Sequence, residues 1–204
     1  MEKPVLWTKQ FIAGTSINFL LALNYYLLMV IMVNYTTLCY QASETVAGLS
    51  ASMFVIGALV ARFFSAQLMS KINEKNILIL SAIFEVVTSA LYFAAFNLPV
   101  LLVIRALHGL SYGMASTAVS TIVTGSVAKE RHGEGIGYFM LSITVGAAIG
   151  PFFGMFLIQH GGYPYVFAFC TVAAAVCLLS AMLFRTSEIK LVKEKNLHKS
   201  AKGL

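Results

Sequence analysis

The chain has 204 residues, of which 59% are hydrophobic and only 11% charged, with a mean hydropathy of +0.83. Soluble domains carry roughly 25% charged residues, so a single water-soluble globule is excluded. The net charge of +6 and the pI of 9.3 then report topology and attraction to anionic lipid, not a nucleic-acid partner.

Six apolar segments follow one another, over about residues 11–38, 46–69, 76–96, 99–125, 136–159 and 163–184. Each can span a ~30 Å hydrocarbon layer, which takes ~20 helical residues. The runs are continuously apolar, which predicts helices and argues against the alternating pattern of a membrane barrel. The first run far exceeds the ~7–15 apolar residues of a cleaved signal peptide. The expected fold is an all-α, multi-pass membrane bundle of six helices over residues 1–184, with a basic cytoplasmic tail over 185–204.

Charge orients the bundle. Every Lys and Arg except Arg62 and Arg105 lies at the N-terminus, in the loops holding Lys71 with Lys75 and Lys129 with Arg131, or in the tail. The alternate loops, near Tyr40, Asn97 and Gly161, contain neither residue type. By the positive-inside rule both termini are expected on the cytoplasmic side.

Segment one carries Asn18, Asn24, Tyr25 and Tyr26. Polar groups inside a span are costly, and Asn18 and Tyr25 stand seven apart on one face. Solute contact and ordinary interhelical hydrogen bonding both account for them. Segments two and three carry Arg62 and Glu85. Counted at ~1.5 Å per residue, these lie about 12 and 15 Å from the same membrane edge, so they are expected to pair. Such a pair reads equally as a static neutralised couple or as a working one.

Segment four runs Arg105-Ala106-Leu107-His108-Gly109-Leu110-Ser111-Tyr112-Gly113. Helical spacing puts Arg105, His108, Gly109 and Tyr112 on one face, with Gly109 and Gly113 suited to close packing. An arginine in an aqueous vestibule stays charged and acts on a nearby acid or anion, and His108 is able to titrate near neutrality. For His108 a satisfied interhelical hydrogen bond is the competing reading. Segment five holds Gly146-Ala147-Ala148-Ile149-Gly150-Pro151-Phe152-Phe153-Gly154. Proline removes a helical donor and predicts a bend, while glycines four apart let a neighbouring backbone approach.

No enzyme chemistry is visible. The chain lacks Asp altogether, has no His-x-x-x-His pair, phosphate loop or nucleophile elbow, and its three cysteines have no ligand spacing. No catalytic residue, cofactor or metal is expected.

Three of these stretches resemble the Major Facilitator Superfamily, in particular the N-terminal half of drug/proton-antiporter-like or sugar-efflux-like members. Arg105, Gly109 and Gly113 look like the family's R-x-x-x-G motif, implicated in proton transfer. Gly146, Gly150, Pro151 and Gly154 match its G-x-x-x-G-P-x-x-G antiporter motif. The stretch from Glu130 to Tyr138 is similar to E-R-x-G-E-x-x-G. The resemblance covers essentially the whole chain and implies one half-bundle of 3+3 inverted helices in a twelve-helix architecture. It further implies secondary transport of a small organic solute coupled to protons, with a cavity lined by segments one, two, four and five. The membrane expected is a bacterial plasma membrane. Two departures stand out. The gating loop after segment two has Ser70, Lys71, Glu74 and Lys75 where relatives carry G-x-L-x-D-R-x-G-R-K, so Ser70 replaces the acid and the state lock is either weaker or built from other groups such as Glu74. The chain also stops after six segments, so a second six-helix half, a second copy, or a truncated non-transporting role in association with another subunit is implied.

Overall fold

The computed structural model describes residues 4–184, and all long elements among them are helices. They are α1 (Lys9–Tyr40), α2 (Glu44–Met69), α3 (Glu74–Leu91), α4 (Leu98–Ser126) and α5 (His132–Leu183), with 3₁₀ turns at Tyr92–Ala94 and Lys129–Arg131. All five helices are long and apolar enough to cross a membrane. The tail expected over 185–204 lies outside the described residues.

Local chemistry sets the helix starts. The Thr8 hydroxyl accepts from the Phe11 amide at 3.1 Å, and Asn97 accepts from the Val100 amide at 2.9 Å. Both satisfy donors that an opening helix leaves orphaned. Asn73 caps α3 the same way through the Lys75 amide at 2.9 Å.

α5 is 52 residues long, about 78 Å at 1.5 Å per residue, too long for one crossing. Its helical dihedrals hold through Pro151 and break at Gly162, which takes φ 72° and ψ −169° ahead of Pro164. That left-handed φ suits only glycine, and the proline two residues later cannot donate back into the first arm. The chain doubles back there. Along the first arm Gly146, Gly150 and Gly154 meet Ala22, Leu27 and Ile31 of α1 in rising order. Along the second, Phe167, Cys170 and Cys177 meet Tyr35, Asn24 and Ile17 in falling order. The two arms therefore run antiparallel beside α1.

Side chains are sorted as lipid demands. Phe63, Phe152, Val172, Leu179 and Leu183 are exposed, whereas Asn18, Asn24, Thr88, Glu85, Arg105 and His108 are buried. Polar groups turned inward and large apolar groups turned outward invert the order of a water-soluble protein.

α4 is the central neighbour. It packs against both α2 and α3, which barely touch each other although they are consecutive. Gly57, Gly109 and Gly113 make the α2/α4 crossing. A Cβ at Gly109 would overlap the Phe54 carbonyl oxygen and stand 2.8 Å from its carbon, and one at Gly57 would meet the Ala106 carbonyl likewise.

Candidate functional site

Two polar features occupy the interior, one open and one closed. The open feature is a cleft of about 300 Å³ walled by Tyr25 and Tyr26 of α1, Phe54 and Arg62 of α2, Tyr112 of α4 and Ile143 of α5. An adjoining recess of about 270 Å³ shares Arg62, Tyr112 and Ile143 and adds Asn18, Ser116 and Thr117. The four elements expected to line a cavity thus meet around one.

Aromatic stacking organises the cleft. Tyr25 stacks on Phe54 at 5.1 Å and on Tyr112 at 5.4 Å between centroids, which fixes all three planes. Asn18 holds the far wall together, donating to the Phe139 carbonyl at 3.3 Å and to the Ser142 hydroxyl at 3.0 Å. Asn24 turns away from the cleft and donates to the Cys170 carbonyl at 3.2 Å, so of the two asparagines only Asn18 reaches the open space.

The closed feature lies between α3 and α4, behind Phe54. His108 Nε2 stands 2.8 Å from Glu85 Oε1, the only buried ion-pair geometry among the described residues. Ser111 Oγ bonds Glu85 Oε2 and stands 2.7 Å from the His108 carbonyl, an alternative acceptor for its single proton. His108 Nδ1 bonds the Tyr92 hydroxyl at 2.8 Å, and that hydroxyl accepts from Arg105 Nη1 at 3.2 Å. Arg105 Nε donates to the Ser50 carbonyl of α2 at 2.9 Å, and its guanidinium carbon sits 4.7 Å from the Phe54 ring centroid. Glu85, Tyr92, Arg105, His108 and Ser111 are all at most 1% exposed.

This arrangement corrects two expectations. Arg62 does not pair with Glu85. It is exposed on the cleft rim, whereas Glu85 faces His108. Equal depth was a fair reading of the sequence, but α4 stands between α2 and α3, so the two side chains point to opposite sides of it. Arg105 and His108 do not face an aqueous vestibule either. Gly109 and Gly57 draw α2 so close that Phe54 and the Ser50 carbonyl cover the Arg105 head. Of the predicted face, Tyr112 alone reaches the cleft.

Tyr92 and Ser111 were not singled out from the sequence. Glu85, Thr88, Ser89 and Tyr92 stand at i, i+3, i+4 and i+7, a polar stripe on an otherwise apolar helix that does signal an inward face.

At the loop between α4 and α5, Arg131 grips Glu134 with two bonds of 2.9 and 2.7 Å and donates to the Pro4 carbonyl at 3.0 Å. The carboxylate pushes the Arg131 pKa up from its ordinary value. Ser70 ends α2 by donating to the Gln67 carbonyl at 2.7 Å, with Lys71, Glu74 and Lys75 around the following turn.

A sequence profile described as Major Facilitator Superfamily matches residues 15–203. The chain is similar to the MFS-type transporter ppzB of Metarhizium rileyi, 32% identical over 53% of this chain and 23% of that protein. It is similar to the efflux pump azaK of Aspergillus niger, 28% identical over 76% of this chain and 34% of that one. It is also similar to the multidrug resistance protein MdtG of Klebsiella pneumoniae, 28% identical over 78% and 38%. The chain thus spans well under half the length of these curated relatives. They come from fungi and a bacterium, so the likeness is not specific to bacterial membranes.

Proposed function

The chain belongs to the Major Facilitator Superfamily, and we propose that it works as the N-terminal six-helix half of a secondary transporter exporting a small organic solute in exchange for protons. The observation that carries this is the aromatic cleft between α1, α2, α4 and the first arm of α5. Stacked tyrosines beside one exposed arginine suit a flat, weakly polar or anionic solute. The printed names of azaK and MdtG, an efflux pump and a multidrug resistance protein, support the outward direction.

The contacts support six crossings and the inverted repeat. Exchanging α1 with α4, α2 with the first arm of α5, and α3 with its second arm turns the α2/α4 crossing into the α5/α1 crossing. Both crossings are lined by glycine. The loop charges support cytoplasmic termini, and cysteines placed at Asn97 and Gly161 are expected to label from outside, one at Lys129 from inside. The fourth wall of the cavity is assigned to a second six-helix half or a second copy of the chain, against which the two units rock. In that motion the seam of Gly146, Gly150 and Gly154 on α1 yields, with Pro151 as its weak point, and Ser70, Lys71, Glu74 and Lys75 meet the partner at the cytoplasmic gate. Asn18 and Tyr25 contact solute, Asn24 ties α1 to the second arm, and Arg105 with His108 serves the proton.

The test is flux in liposomes holding the chain, with a pH step imposed and amphipathic dyes and hexoses as trial solutes. Transport driven by the step and weakened by Tyr112→Ala supports the reading. A chain that moves no solute while co-purifying with another membrane protein supports instead a non-transporting, associating subunit.

A further inference from the structure

We infer that Glu85, with Ser111 and His108, forms an internal proton-binding site that Phe54 seals from the solute cleft. The inference rests on the transport reading only for its purpose, since proton binding is a property of the chain itself.

Hydrogen-bond arithmetic supports two proton counts at this site. We assign the Tyr92 hydroxyl, which accepts from Arg105, as the donor to His108 Nδ1. His108 is then the neutral tautomer whose Nε2–H donates to Glu85 Oε1. With Glu85 ionised, the Ser111 hydroxyl donates to Oε2. When one proton is added at Oε2, the Glu85 O–H donates to Ser111 Oγ, and the Ser111 proton turns to the His108 carbonyl 2.7 Å away. Glu85, Ser111 and His108 keep their mutual hydrogen bonds in either state. Rotation of one hydroxyl converts the network, so the site accepts a proton without moving a helix.

Charge gives the proton a consequence. The ionisable groups facing Glu85 are His108, Arg105 and Tyr112 of α4, Tyr92 of the 3₁₀ turn, and Cys170 and Cys177 of the second arm of α5. α2 contributes only the Phe54 ring and the Ser50 carbonyl. Among the described residues Glu85 is therefore the one carboxylate in the cluster that holds Arg105, whose Nη2 has no hydrogen-bond partner. Protonating Glu85 leaves that guanidinium uncompensated beneath Phe54. Its nearest route to water is the cleft, because Phe54 lies over Arg105, meets His108 edge-on at 5.3 Å, and lines the cleft itself. Proton uptake behind the seal thus favours opening it.

Infrared difference spectra of the purified chain in lipid nanodiscs, titrated with acid, test this. The expected result is a carboxylic-acid C=O band that appears on acidification, is resolved from those of the other seven glutamates, and is lost in Glu85→Gln. Ser111→Ala is expected to keep the band and shift its frequency and midpoint, because the acid loses its acceptor. Phe54→Ala is expected to speed exchange of that band in deuterated buffer. Should Glu85→Gln fail to fold, the Ser111→Ala shift still decides. A band absent from the wild-type spectra over the pH range of the folded chain overturns the proposal, as does one indifferent to Ser111→Ala. These spectra need no solute and no second half, so their outcome is separate from that of the flux experiment.

Discussion

Two glycine-lined crossings hold the bundle, and they differ in how closely the neighbouring backbone approaches the glycines. At α2/α4 the neighbours are backbone. Added Cβ atoms at Gly57 and Gly109 would overlap carbonyl oxygens, and at Gly113 one would lie 2.9 Å from the Ala58 Cα. At α1/α5 the approach is looser. A Cβ at Gly150 would stand 3.0 Å from the Leu27 amide and 3.2 Å from the Leu23 carbonyl, and at Gly154 the crowding atoms belong to the flexible Ile31 and Leu27 side chains. Side-chain ends yield where backbone does not. The first seam also hides the charged cluster, and both seams contribute residues to the cleft. The stiff seam therefore guards the charge, and both shape the space for solute.

The largest expected effect tests what the stiff seam encloses. Glu85→Gln removes the carboxylate from the cluster that holds Arg105, linked to it through His108 and Tyr92, and taking away a buried counter-charge costs up to about 3–5 kcal/mol. Thermal unfolding of the purified chain should show that loss, and Arg105→Gln in the same molecule should restore much of it. Independent, additive losses would mean the two groups are not coupled.

Next in size is Gly109→Ala, which drives a methyl into the Phe54 carbonyl. Overpacking of this kind costs about 1–3 kcal/mol, and here it should also loosen the cover over Arg105. Gly150→Ala should cost less, about 1 kcal/mol, and slow transport more than it lowers the unfolding temperature. If Gly150→Ala proved the more destabilising of the two, the ranking of the seams would be reversed.

The smallest effects are controls. Gly48 and Gly125 have nothing within 4 Å of an added Cβ, so Ala at either should stay neutral or stabilise by up to about 1 kcal/mol. Arg62→Gln should change stability by no more than about 0.5 kcal/mol, because the side chain is exposed, while altering which solutes bind. That pattern would separate the two membrane arginines cleanly.

The long apolar helices were legible in the sequence because their signal is one-dimensional: length and apolarity lie along the chain. The pairing of charges was not, because it depends on azimuth and on which helix stands between which. Arg62 and Glu85 match in depth, yet α4 intervenes, an arrangement that no spacing within α2 or α3 encodes. Helical spacing puts the Arg105 face on one stripe, but its exposure is set from the other side, by Gly57 letting α2 close over it. The cleft was foreseeable in its four elements, whereas its stacking through Phe54 needed the tertiary contacts.

The most direct test of the stiff and pliant seams is a pair of spin-label distances, each measured by pulsed electron paramagnetic resonance in nanodiscs at neutral and acid pH. Labels at the exposed Leu59 and Val103 report α2/α4, and labels at the exposed Ile12 and Met140 report α1/α5. The α2/α4 distribution should be narrow and keep its mean, while the α1/α5 distribution should be broader and shift on acidification. Equal widths at the two seams, or a shift confined to α2/α4, would contradict the account.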